Sequence, residues 1–161
     1  MNDYFEGAVR QLLTRGEHLL SSIQAGLPPE FHLLEQTCRR KLSEMMSALR
    51  GLIEDPHMRQ LKYRQVRIRA YRRLIEDLDG LETVAIPALA RTHESDGFLN
   101  RLVQQIRREI QYPLLPPVVS PFSQHYFYIR EDFNLICVHL SEGNFLLHLP
   151  DMYHELAHPL V

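Results

Sequence analysis

At 161 residues the chain has room for one domain, or for a small domain and part of a second. Its apolar share is 45% and its charged share 24%, the balance of a soluble globular protein, and a net charge of -2 excludes a global pull toward nucleic acid or anionic membrane. No apolar run approaches the ~20 residues that span a bilayer, and "MNDYFEGAVR" lacks the basic start and apolar stretch of a secretory signal. Cys38 and Cys137 are the only cysteines, too few for a disulfide framework, so a cytoplasmic protein with buried, inert thiols is expected.

The first two thirds read as helix. From Asp3 onward, Phe5, Val9, Leu12, Gly16, Leu19 or Leu20, and Ile23 recur at steps of three and four, one face of a helix. Gly26 and the Leu27-Pro28-Pro29 after it end that helix. Phe31, Leu34, Cys38, Leu42, Met45, Leu49 and Leu52 then form a heptad-like seam. It runs for about three heptads, the length of a bundle helix, and reads as core. Asp55-Pro56 closes it, because a proline disfavours helical angles at the residue before it. A third helix is expected over 56–79, with Leu61, Val66 or Ile68, Tyr71, Ile75 and Leu78 inward and Gly80 as its stop. A short helical piece over 81–91 is interrupted at Pro87. A fourth helix follows, capped by Ser95 or Asp96, with Phe98, Leu102, Ile106 and Ile110 inward.

Composition then changes. "QYPLLPPVVSPF" carries Pro113, Pro116, Pro117 and Pro121, through which no helix continues. Residues 113–122 are therefore expected to link a helical domain, 1–112, to a second domain, 123–161. Beyond the prolines the period shifts to two. "HYFYIR" (125–130) alternates, "NLICVHL" (134–140) is β-branched and apolar, and Glu131-Asp132 suits a tight turn between them. "SEGN" (141–144) turns into a further strand over 145–149. Pro150-Asp151 opens a last helix, whose exposed N–H groups Asp151 complements. The expected fold is α+β: a mostly α-helical N-terminal bundle, a short antiparallel β-meander, and a C-terminal helix.

That last helix carries His154, Glu155 and His158 in the spacing H-E-x-x-H. Residues four apart share a helix face, with Cβ atoms ~5–6 Å apart. Two imidazoles one turn apart can therefore converge on one zinc ion, which takes nitrogen ligands at ~2.0–2.1 Å. Glu155 follows the first histidine and projects beside the ion, where a carboxylate can take a proton from water. Zinc lowers the pKa of the water it holds from 15.7 toward ~7. A carboxylate base beside a Lewis acid is the equipment for cleaving an amide.

His154-Glu155-Leu156-Ala157-His158 resembles the signature of the zincin metallopeptidases, and the strands before it resemble the zincin sheet beside the active-site helix. The resemblance spans at most 122–161. It implies a zinc-dependent peptidase acting on a peptide or protein, with His154 and His158 as zinc ligands and Glu155 as general base. It also implies that the strands of 133–149 present the substrate backbone. Pro159 is expected to end the helix at or near His158. Zincins take a third protein ligand, usually downstream, and only Pro159, Leu160 and Val161 follow. The expectation is an N-terminal portion of a longer enzyme, with an incomplete catalytic domain that is inactive alone. The alternative is an upstream ligand, as in peptide deformylases, with His148, His139, Glu142 and Cys137 as candidates. Those enzymes carry a cysteine where Asn144 follows Glu142-Gly143.

Two other classes compete. The helical bundle can be a non-enzymatic interaction module with a protein partner. "RQLKYRQVRIRAYRR" (59–73) can be a phosphate-contacting helix, but its charges ring the helix instead of forming one stripe. A solvated face paired with Glu54, Asp55, Glu76 and Asp77 is the reading adopted. His125, His139 and His148 fall on strands and read as sheet-face histidines.

Overall fold

The computed structural model describes residues 2–90, 97–123, 128–139 and 149–160. Helices come first, strands later and a short helix last, as the periodicity predicts. Contacts divide the chain into two compact units, Met1–Gln24 with Gln36–Ile86, and Ala25–Glu35 with Pro87–Val161. Among the described residues no helix is long and apolar enough to cross a membrane.

The first unit rests on α1 (Asn2–Ser22), most of α2 (His32–Glu54) and α3 (Arg64–Gly80). The α1 stripe is inward as its spacing requires: Val9, Leu12, Leu19 and Ile23 are all buried. Gly16 continues that stripe at the point of closest approach, where a Cβ would stand 3.3 Å from Met46 Cγ. Every member of the α2 seam is buried, from Phe31 to Leu52. Gly26, at φ 77°, holds the left-handed turn beyond α1 that a side chain would resist.

The third helix departs from expectation at both ends. It begins only at Arg64, after a 3-10 turn over Leu61–Tyr63. The cause is local. Asp55 Oδ1 accepts the His57 N–H at 2.8 Å, and Arg59 Nε donates to the Ile53 carbonyl at 2.7 Å. These bonds hold 55–60 in a turn, since Asp side chains compete for backbone N–H groups. Leu61 is consequently 91% exposed, not inward. At the other end Gly80 keeps helical angles, and α3 runs on through a π-helical stretch, Leu81–Ala85, into α4 (Ile86–Ala90). There the Ile86 N–H bonds to the Leu81 carbonyl five residues back. This widened turn lies directly before Pro87, a residue with no N–H to bond, and such turns accommodate irregularity inside a helix.

The second unit sets α5 (Gly97–Glu109) and α6 (Leu149–Ala157) against a three-stranded sheet. The strands are β1 (Val118–Ser123), β2 (Tyr128–Arg130) and β3 (Leu135–His139), in the order β1-β3-β2. β2 and β3 form the expected antiparallel pair, with Ile129 opposite Ile136. Their connection is a 3-10 turn over Glu131–Phe133 closed by Asn134 at φ 49°, a left-handed conformation that asparagine tolerates. β1 is the departure. It occupies residues read as linker, and it pairs parallel with β3, so the sheet is mixed rather than wholly antiparallel. Pro121 fits because β1 is an edge strand, where a missing donor costs no ladder bond, and the register shifts between Pro121 and Ser123. The strand expected over 145–149 and the caps Ser95 and Asp96 lie outside the described residues, apart from Leu149, which begins α6.

The core of this unit joins Leu99, Val103 and Ile106 of α5, Val119, Ile136 and Val138 of the sheet, and Met152 and Leu156 of α6. The buried face of α5 is thus turned from the one expected, and Phe98 and Ile110 are 38% and 44% exposed. The turn brings Asn100 inside. Its Oδ1 accepts the Val119 N–H at 2.9 Å and its Nδ2 donates to the Val119 carbonyl at 3.2 Å. One buried amide therefore satisfies both backbone groups of a residue that, among the described residues, no second strand reaches.

Candidate metal centre

The geometry of α6 follows from its apolar pair. Met152 and Leu156, one turn apart, are buried at 2% and 1% and fix the helix on the core. The other side carries His154 and His158, both exposed, with Glu155 half-buried. Asp151 lies in the first turn, complementing the helix dipole. The α-helix stops at Ala157 and a 3-10 turn, His158–Leu160, takes over. This is the ending that Pro159 imposes, and it leaves the second histidine of the motif just outside the regular helix.

The tighter turn does not separate the rings. Their centroids are 4.7 Å apart with planes at 80°. One ligand atom from each of His154, Glu155 and His158 falls within 4.8 Å of the others. Two nitrogens on a tetrahedral zinc stand ~3.3 Å apart, so small side-chain rotations bring the pair onto one ion. Imidazole and carboxylate donors suit zinc. The three motif residues could therefore hold a metal ion.

Glu155 has a second engagement that its spacing did not reveal. Its Oε2 accepts the Ile129 N–H at 2.8 Å. That N–H belongs to the outer edge of β2, since β3 pairs on the other side. Glu155 thereby closes one margin of the sheet, as Asn100 closes the other at Val119. Among the described residues, Oε1 is the oxygen left for other work.

The upstream candidates fare unequally. Cys137 is buried on β3, and burial pushes its thiol up to about 11 in spite of a hydrogen bond with Tyr128. The metal-ligating cluster among the described residues does not include it. Cys38 is likewise a buried free cysteine. His148, Glu142 and His125 lie outside the described residues, as does the side chain of His139. β3 is the central strand, paired on both edges, so its described residues cannot present a backbone to substrate in the way the zincin resemblance implies.

The basic stretch 59–73 is divided by the fold. Arg64, Arg69, Arg72 and Arg73 are exposed, whereas Arg67 is buried. Arg59 pairs loosely with Glu6 at 3.8 Å. Sequence reasoning also missed Asn100, Ile129 and Arg67. The only signal for two of them was a polar residue set among apolar ones at helical spacing: Asn100 beside Leu99 and Val103, and Arg67 one turn before Tyr71.

No family model, curated protein or solved structure matches the chain. The likeness to zincins accordingly rests on His154, Glu155 and His158 of the C-terminal helix.

Proposed function

We propose that α6 and the 3-10 turn that ends it carry the histidine pair and the base of a zinc-dependent hydrolase, with peptide bonds as its substrate class. The observation that supports this reading is the juxtaposition of two exposed neighbouring imidazoles and a half-buried carboxylate, ligand atoms within 4.8 Å of one another. His154 and His158 hold the ion. A third protein ligand comes from outside the described residues, because catalytic zinc takes three. Zinc, when bound, supplies the Lewis acidity that brings water's pKa toward ~7. Glu155 accepts the water's proton on Oε1 and returns it to the leaving amine, while Ile129 holds Oε2 in place.

A second reading has its own support. The Glu155–Ile129 bond serves the sheet whether or not a metal binds, which is what a helical interaction module with a structural C-terminal helix requires. Zinc binding separates the two. Equilibrium dialysis of the whole chain is expected to show one zinc, with His154→Ala and His158→Ala each weakening it at least tenfold. Glu155→Gln is expected to retain the metal and to lower any peptide hydrolysis by ~10²–10⁴-fold, the scale of a lost general base. A wild-type chain that takes up no zinc, or a Glu155→Gln variant as active as wild type, rejects the hydrolase.

A further inference from the structure

Away from the motif helix, the first unit contains a cavity of about 290 Å³ between α1, the turn before α3, and α3 itself. Ligand pockets run ~300–1,000 Å³, so this one suits a small molecule. Its walls are mainly apolar: Tyr4, Phe5 and Ala8 from α1, Leu61 from the turn, and Ile68 and Tyr71 from α3. Phe5 and Tyr71 brace each other edge to face, with centroids 5.5 Å apart. The Tyr71 hydroxyl is occupied, donating to the Ala8 carbonyl at 3.3 Å.

Among these walls stands Arg67, only 5% exposed. Its guanidinium lies 4.5 Å from the Phe5 ring centroid, a cation–π contact that covers one face. Its Nε and Nη2 are buried and, among the described residues, have no hydrogen-bond partner. These two nitrogens form one edge of the guanidinium, with two parallel N–H groups. That is the fork which meets a carboxylate or phosphate through two hydrogen bonds. Buried N–H donors left without an acceptor are costly, and structures almost always satisfy them. Arg59 and Arg64 also line the cavity. α3 opens with no acidic residue in its first turn and no side-chain cap, so the positive end of its dipole adds to theirs.

We propose that this cavity binds a small organic anion, with a carboxylate or phosphate head on the Nε/Nη2 edge of Arg67 and an apolar body against Phe5, Ile68 and Tyr71. The head supplies the missing partner, and the body fills the apolar remainder.

Calorimetric titration of the whole chain tests this with 3-phenylpropionate, phenyl phosphate, 3-phenylpropionamide and inorganic phosphate. One or both organic anions are expected to bind saturably, at least tenfold tighter than the neutral amide and than inorganic phosphate. The tighter of the two identifies the head group. Arg67→Met is expected to weaken the anion at least tenfold and leave the amide unchanged. Ala8→Trp, which fills the cavity while keeping Arg67, is expected to abolish both. In wild-type protein the Arg67 Nε–H resonance is expected to move on titration, which needs no variant to fold. No saturable binding by either anion, equal binding of anion and amide, or an Arg67 resonance that stays still would overturn the proposal.

Discussion

On α6 Asp151 and His154 stand outside while Met152 and Leu156 hold the helix down; on α3 Arg67 is 5% exposed while its neighbour Val66 is 51% exposed. The first arrangement follows the ordinary division of labour on an amphipathic helix. The second inverts it. The two helices show two independent ways in which a protein discloses chemistry. One is a spacing that places donors together at the surface. The other is a burial that leaves hydrogen-bond donors, among the described residues, without acceptors.

Four measurements press on that contrast. The largest effect is expected from Leu156→Ala, which removes a fully buried anchor directly between Glu155 and Ala157. Chemical denaturation should show a loss of ~2–5 kcal/mol, and zinc affinity should fall with it if the histidines depend on that anchor for their position. A loss below ~1 kcal/mol would mean that α6 is held by something other than its apolar pair.

Cys137 supplies the next test, as a buried titratable group of the second unit. Its thiol is pushed up to about 11 in the folded protein, against ~8.5 in an unfolded chain. The folded state therefore binds the proton more tightly. The resulting stability is fully present below ~8.5 and is lost as pH rises through about 11, by roughly 3–3.5 kcal/mol. Cys137→Ala should flatten this part of the stability–pH curve, whatever it does to stability at pH 7. An unchanged slope would place the alkaline loss elsewhere.

Arg67→Met should stabilise the empty protein by ~1–2 kcal/mol, because replacing an unsatisfied buried charge with an apolar side chain removes a desolvation penalty larger than one cation–π contact. Destabilisation instead would show that the guanidinium is satisfied in the resting protein. The smallest effect belongs to Leu61→Ser. At 91% exposure Leu61 lends the first unit almost no buried area, and its unfolding free energy should stay within ~0.5 kcal/mol.

The helices of the first unit were legible where a single period governs them. The α2 seam was read residue by residue, and so was the α1 stripe from Val9 to Ile23, because burial on a bundle face follows apolar spacing. Legibility failed wherever a polar side chain overrode the period. Asp55 turned the chain and threw Leu61 outward. Asn100 drew α5 round to β1. The four prolines of 113–121 concealed an edge strand, since proline vetoes a central strand but not a marginal one. At the candidate site the spacing of His154, Glu155 and His158 predicted their shared side correctly. It said nothing of Ile129, whose N–H reaches Glu155 across 26 residues of sequence. Arg67 was read among surface charges, because no periodicity argument assigns an arginine to the interior.

The sheet margins carry one last consequence. Val119 and Ile129 are held by Asn100 and Glu155, so neither outer strand offers these groups to a neighbouring molecule. Truncating Glu155 to alanine would do more than remove a base: it would bare a donor on a short strand and invite another copy to add to it. Glutamine keeps an acceptor over Ile129, and it is the substitution whose outcome speaks to reactivity and not to self-association.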